Sequence, residues 1–233
     1  MSYRIYFYLF IFINTGLEAQ KYIGLIVDND LYFGSDRYYS SGIFLEFGRL
    51  IKTPSDSILK FGYVSKHWVL GQEINTPGLH YTENISKMDY PYNGWLFLGF
   101  KKEFFKKPNL GYGWGIQFGS TGAEASLAKF FQNTYHTYIL NARELTWASS
   151  IPQAFHLNSD LSFFWGKSLN DKIKFIAKNK IQLGSFRTSI NSRYGLQFGS
   201  LKGLPFFGNR LEILQNGFSF FLGMELEYNF HDY

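Results

Sequence analysis

The chain has 233 residues, no cysteine and a formal net charge of +5 at pH 7. Zero cysteine excludes a disulfide framework and a Cys-ligated metal, and a modest positive charge without a long Lys/Arg run gives no basis for nucleic-acid binding. Aromatics make up 21% and charged residues only 18%, with no internal apolar run of the ~20 residues that a membrane-crossing helix needs. Strands with one apolar face, one polar face and aromatic girdles have this profile in transmembrane barrels. A large soluble β-sandwich shares it.

In chain order, "MSYRIYFYLFIFINTGLEA" opens with Arg4, continues in an apolar run from Ile5 to Ile13 and ends at Ala19. This is the pattern of a secretory signal peptide, residues 1–19, leaving 20–233 as one domain. Period-2 alternation then recurs. "YIGLIVDN" places Ile23, Leu25 and Val27 on one face, and "GIFLEFGRL" alternates Ile43, Leu45 and Phe47 against Phe44, Glu46 and Gly48. Residues 59–74 read as one long strand or two. "GWLFLGFKKEFF", "GYGWGIQFGS", "HLNSDLSFFWGKSL", "DKIKFIAKNKIQLGSF" and "SRYGLQFGS" follow, separated by Gly, Asn, Asp and Pro clusters. The last strand, "FSFFLGMELEYNF", sets Phe218, Phe220, Leu222, Met224, Leu226, Tyr228 and Phe230 on one face. The count is about ten strands. "KKEFFKK" at 101–107 reads as a strand end at an anionic membrane surface or as a solvated turn.

One segment lacks period 2. Residues 122–144, "GAEASLAKFFQNTYHTYILNARE", read as one helix with Ser120 or Thr121 near the N-cap. Gln132 and His136 are four apart and share a face of it. Inserted between strands, this helix is an external loop feature that covers the barrel mouth or lies against its outer rim.

The candidate chemistry is that of oxygen ligands and one imidazole. Asp28, Asn29 and Asp30 end one strand, and Ser40 and Ser41 begin the next. Antiparallel pairing brings the two stretches together. Carboxylate, amide and hydroxyl oxygens suit calcium, although Asp and Asn also favour turns for local reasons. The glycine and distal Glu of an EF-hand loop are absent. No second His or Cys stands at ligand spacing from His136, so a zinc site of the HExxH type has no support. No G-x-S-x-G elbow and no phosphate-cradling glycine loop are present.

Together, Asp28-Asn29-Asp30, "SDRYYSSG" (35–42), "GQEINTP" (71–77), "PYNGWL" (91–96), "QNTYH" (132–136) and "LGSFRTS" (183–189) resemble, in this order, the outer-membrane lipid A 3′-O-deacylase family, the LpxR family. The resemblance runs from about residue 22 to about residue 200. It implies an all-β fold, an antiparallel transmembrane β-barrel of about 10–12 strands with one helix in an external loop. It implies an outer-membrane hydrolase that removes the 3′-linked acyloxyacyl chain of lipid A in lipopolysaccharide, with Ca²⁺ polarising the ester and a histidine activating water. Carried over by position, His136 matches the base, Gln132 the residue one turn before it, Ser40 the hydroxyl of the "Y-[TS]-x-G" element, and Asn29 and Asp30 the calcium side. Two departures stand in "YPYNGW": Tyr90 replaces a basic residue and Asn93 an alanine. The helix entry reads "GS" where the family has "GP", and "TWASSIPQ" (146–153) blurs the family's "GW-x-x-Q". These changes motivate the alternative of a catalytically inactive barrel with a structural or binding role. A porin-like channel ranks last, because a barrel of this size is mostly filled by side chains.

Overall fold

Alternation along the strands is satisfied by a sheet with one face in lipid and one in a lumen. The computed structural model describes residues 20–29, 38–52, 62–107, 109–199 and 219–233. Asp30 and the signal segment 1–19 lie outside these residues, as does Phe218. Nine strands form one sheet: β1 (Gln20–Asn29), β2 (Tyr38–Lys52), β3 (Tyr63–Thr76), β4 (Asn93–Lys107), β5 (Leu110–Thr121), β6 (Phe155–Ser168), β7 (Ile173–Gly184), β8 (Arg187–Gly199) and β9 (Ser219–Asp232). Each pairs antiparallel with the next in sequence order. Nine strands among the described residues compare with the about ten expected from periodicity. Residues 59–74 contribute one strand, since Tyr63 to Thr76 pairs without interruption with β2 on one side.

β6 shows how the pattern is used. His156, Asn158, Ser162 and Phe164 are buried, while Phe155, Leu157, Leu161, Phe163 and Trp165 are exposed. From Phe155 to Trp165 the exposed set is, except for Ser159, apolar, which water would not favour and a bilayer does. The same outward belt continues through Trp68 and Leu70 of β3 and through Phe220, Leu222, Met224, Leu226, Tyr228 and Phe230 of β9. The face read from the sequence of the last strand is therefore the outer wall.

The lumen is layered. At one end Leu50, Phe105 and Phe164 pack together. Above them lies a charged layer: Ser65 donates to Glu103 at 3.1 Å, and Lys101 pairs with Glu103 at 3.2 Å. At the opposite end the Trp95 indole stacks on Phe97 (5.6 Å between ring centres) and on Phe186 (4.3 Å), with Tyr233 beside His156 at 4.4 Å. Trp95 and Phe97 come from β4, Phe186 from the β7–β8 turn and Tyr233 from the end of β9, so this ring stack ties distant strands together inside the sheet.

The basic stretch 101–107 is the end of β4, with a register shift between Phe105 and Lys107. Lys101 and Glu103 point into the lumen, where they pair. Lys102 lies on the other face, over the Phe104 ring at 4.8 Å.

Candidate active site

The rim that joins β1 to β2, β3 to β4 and β5 to β6 gathers the candidate residues. Antiparallel pairing sets Asp28 opposite Gly42 and Asn29 opposite Ser41. On its other side β2 pairs Tyr39 with Asn75 and Ser41 with Ile74, which leaves Ser40 as the extra residue of a bulge. A bulge bends the strand and re-aims a side chain. Tyr38 enters with φ at +62°, in the left-handed region. Ser40 is buried, and its hydroxyl donates to the Tyr38 carbonyl at 3.3 Å, a long bond. Tyr38 in turn pairs with Thr76, the last residue of β3.

Three outward positions of β3 break the lipid-facing rule. Trp68 and Leu70 are exposed, but Gln72, Ile74 and Thr76, at the same register, are buried. Two of these three are polar. A helix covers them: α1 (Ala128–Tyr138) lies against the outer wall formed by β3 and β4. Its buried residues are Ala128, Gln132 and His136, a stripe with the four-residue spacing of one helix face.

The approach to the wall is close because one strand position has no side chain. A Cβ on Gly94 would meet Ser126 Oγ at 2.0 Å and Ala128 Cβ at 2.3 Å. Gln72 Nε2 donates to the Ser126 carbonyl at 2.6 Å and fixes the start of the helix.

The helix is shorter than the sequence suggested, and Ser120 and Thr121 do not cap it. Thr121 ends β5, where its backbone N–H bonds Ala154 O at 3.0 Å and its hydroxyl donates to Pro152 O at 3.1 Å. The Ser120 hydroxyl donates to Ala125 O at 2.9 Å. Gly122 then turns with φ at +95°, and a Cβ there would meet Gln153 Cα at 2.9 Å. Leu127 occupies the N-cap with φ at +58° and no side-chain cap bond; the nearby Ser126 hydroxyl accepts from Ala128 N–H at 3.3 Å. The strand end consumes the polar side chains that resembled a cap.

Within the stripe, Gln132 Nε2 donates to Thr76 Oγ1 at 2.7 Å. That bond fixes the amide and leaves Gln132 Oε1 buried, with no hydrogen-bond partner among the described residues. Gln132 is 6% exposed and His136 7%. The helix is clamped from behind by Asn133, which donates to Leu145 O at 3.2 Å and accepts from Leu145 N–H at 3.0 Å. The Ala142 N–H donates to His136 O at 2.9 Å. Thus an imidazole and an oriented amide share one helix face over the end of β3, where Thr76 is bonded, and Ser40 lies at the adjoining end of β2. A neutral imidazole held there is suited to accept a proton from water.

A buried amide oxygen without a donor is the kind of acceptor a hard cation takes up. The oxygens on the described side of the site, Gln132 Oε1 and the hydroxyls of Ser40 and Thr76, fit an oxygen-preferring ion and do not fit one that selects sulfur or nitrogen ligands. Among the described residues no group of three His, Cys, Asp or Glu side chains forms a metal cluster. The backbone of Asn29 sits opposite Ser41 at the same rim, and Asp30 follows it outside the described residues.

Tyr90, at the position where the family pattern is basic, lies in the β3–β4 connection with its ring edge toward Tyr38 at 6.0 Å. Burial pushes its phenol above the ordinary tyrosine range, and the Asp232 charge adds to this. Tyr90 therefore presents a neutral hydroxyl.

The structure brings Gln132 and His136 onto one face, as the four-residue spacing predicted, and brings Ser40 and Asn29 to adjacent strand ends. Sequence reading missed Thr76, Gln72, Gly94 and Asn133. The signal for the first two was available: polar residues four apart, on the strand face that carries Trp68 and Leu70, imply a covering element.

A family model described as "Outer membrane protein LpxR" matches residues 5–233. No curated protein sequence matches the chain. Among solved structures, LpxR from Salmonella typhimurium is similar in fold, with 17% sequence identity, a TM-score of 0.66, and coverage of 85% of this chain and 69% of that one. At that identity the likeness establishes the architecture, a β-barrel.

Proposed function

This chain belongs to the LpxR family of outer membrane proteins, and we propose on that footing that it is an ester hydrolase removing the 3′-linked acyloxyacyl chain of lipid A in the outer leaflet. The observation that carries this reading is the polar stripe of α1. Gln132 and His136 are buried against the lipid-facing wall of the barrel, not its lumen, at the rim. A soluble substrate has no route to that wall through the lumen, whereas a lipid in the bilayer lies beside it.

In the proposed reaction His136 takes a proton from a water molecule, whose oxygen attacks the ester carbonyl carbon. The C–O bond to the sugar breaks, and the departing 3′ oxygen recovers the proton from the imidazolium. Products are a free fatty acid and a 3′-hydroxyl. Thr76 holds the Gln132 amide, so that its oxygen is presented to the site rather than rotating away. Ser40, whose present bond to Tyr38 O is long at 3.3 Å, is free to redirect its hydroxyl toward the ester oxygen. Asn29 and Asp30 are the residues proposed to hold Ca²⁺, which when bound offsets charge developing on that oxygen, an effect worth several kcal/mol.

One observation favours a second reading, a catalytically silent barrel of the same descent. Tyr90 offers a neutral phenol where the family pattern has a cation, which weakens any hold on a lipid A phosphate.

The two readings separate in one experiment. The refolded protein is incubated with lipid A in detergent, first with Ca²⁺ and then with EDTA, and the lipid is weighed by mass spectrometry. Loss of one acyloxyacyl unit with Ca²⁺ and none with EDTA supports the hydrolase. An unchanged mass in both arms supports the silent barrel. Deacylation that persists in EDTA keeps the hydrolase and removes the metal.

A further inference from the structure

Helix α1 is amphipathic in the inverted sense. At about 100° per residue, Ala128, Gln132 and His136 define the face toward the barrel, and the polar members of that face are buried. The opposite arc carries Leu127, Phe130, Phe131 and Tyr138, all exposed, with Phe130 at 62% and Tyr138 at 79%. Thr134 and Thr137 are the polar residues on that arc, and neither is charged. A helix on the surface of a water-soluble domain hides its apolar stripe and shows its charges. This one hides an amide and an imidazole and shows three aromatic rings. Ile139 and Leu140, just beyond its end, are exposed as well.

The exposed face continues the lipid-facing wall. Ala128 packs at the level of Gly94, which pairs with Ile74. That level is four residues, about 14 Å along the strand, above Leu70, an exposed outward residue of the same strand. Phe130 and Phe131 thus stand on the outer side of a helix that covers Gln72, Ile74 and Thr76, on the wall just above the exposed apolar belt of Trp68 and Leu70. In the first turn the helix has no acidic residue, and the Lys129 ammonium is neutralised by Glu124 at 3.1 Å.

We propose that α1 is immersed in the acyl-chain layer of the outer leaflet, with Leu127, Phe130, Phe131 and Tyr138 in contact with lipid. The helix does not stand in water above the membrane. Its occupant is the hydrocarbon of the bilayer, because the patch is contiguous with the outward strand faces that already meet hydrocarbon. Tyr138, at the rim end of the helix, marks the interface, where an amphipathic ring is stable. Immersion sets the edge of the Gln132–His136 face at the depth of the leaflet, so that a lipid reaches it by lateral diffusion without leaving the bilayer. The immersion itself rests on the barrel and the helix face, and not on the esterase reading.

The absence of cysteine makes the test direct. Single-cysteine variants Phe131→Cys, Leu70→Cys and Glu83→Cys carry a nitroxide in dioleoylphosphatidylcholine vesicles. Accessibility to oxygen and to a water-soluble nickel chelate is then measured by power saturation. Leu70 reports the lipid-facing wall and Glu83 an exposed loop. The label at 131 should match that at 70, with an oxygen-to-nickel ratio several-fold above that at 83. A ratio at 131 equal to that at 83 overturns the proposal. Because Phe131 is exposed, the substitution leaves packing intact, and resistance to unfolding in cold detergent verifies each barrel. Phe130→Cys gives an independent second position on the same face, and a water-like ratio there also counts against immersion. Catalytic activity does not enter the readout, so failure of the esterase reading leaves this measurement interpretable.

Discussion

His67 and His136 both sit in polar surroundings, and their groups differ in what is left over. In the lumen, His67 Nδ1 meets Tyr22 OH at 2.9 Å, and its Nε2 meets Ser65 Oγ at 2.7 Å and Glu103 Oε2 at 3.3 Å. By distance alone Ser65 and His67 look like a nucleophile and its base. The proton inventory says otherwise. Ser65 has one proton and donates it to Glu103, so toward His67 it is an acceptor, and Nε2 is the donor. With Tyr22 donating to Nδ1, every polar atom of the group is used, and Ser65 is fully buried. At the rim, by contrast, Gln132 makes one side-chain bond among the described residues and keeps a buried oxygen without a donor there. The lumen group is a strut. The rim group keeps a buried acceptor in reserve, and that difference separates the candidate site from the lumen group more sharply than proximity of catalytic residue types.

The contrast breaks if the wrong histidine matters. His136→Ala should reduce deacylation by about 10²–10⁴-fold, the range for loss of a general base, with the folded barrel retained on a heat-modifiability gel. Activity within a few-fold of the parent would remove His136 from the mechanism. Next in size is a stability effect in the lumen. Glu103→Ala leaves Lys101 and its neighbours without their buried counter-charge and should destabilise the barrel by about 3–5 kcal/mol, read as a lower urea midpoint in folding titrations. An unchanged midpoint would mean the charged layer is hydrated and slack.

Thr76→Val sharpens the rim side. It removes the acceptor that orients Gln132, at about 1–3 kcal/mol, and should lower the apparent Ca²⁺ affinity read by calcium-dependent melting. Thr76→Ser should restore it; failure of the serine to do so would assign the loss to packing. The smallest effect belongs to Ser65→Ala, expected to cost about 1 kcal/mol of stability and to leave lipid A turnover unchanged. Turnover lost with the barrel intact would reinstate the lumen pair as chemistry.

How much was legible depended on whether one periodicity decided the matter. The outer face from Phe220 to Phe230 could be read off β9, because period 2 assigns it uniquely. Gln132 and His136 could be placed together, because four residues return to one side of a helix. The helix start could not be read, because Ser120 and Thr121 carry the right side chains for a cap but spend them on Ala125 and Pro152 carbonyls from a strand end and its return loop. Nor could the charged layer. "KKEFFKK" reads as one basic patch, yet alternation sends Lys101 and Glu103 inward and Lys102 outward. Thr76 was quoted within a motif but carried no role, since its partner lies 56 residues away on a helix that crosses the outside of its strand.

The aromatic stack of Trp95, Phe97 and Phe186 has a consequence at the scale of the cell. Rings from β4 and from the β7–β8 turn meet face to face inside the sheet, where a porin would keep a hydrated passage. Small dyes, bile salts or antibiotics arriving from outside meet a hydrocarbon barrier there before they meet the charged layer beneath. Overexpression of this protein should therefore leave dye uptake across the envelope unchanged, so that expression level and permeability become separately adjustable traits.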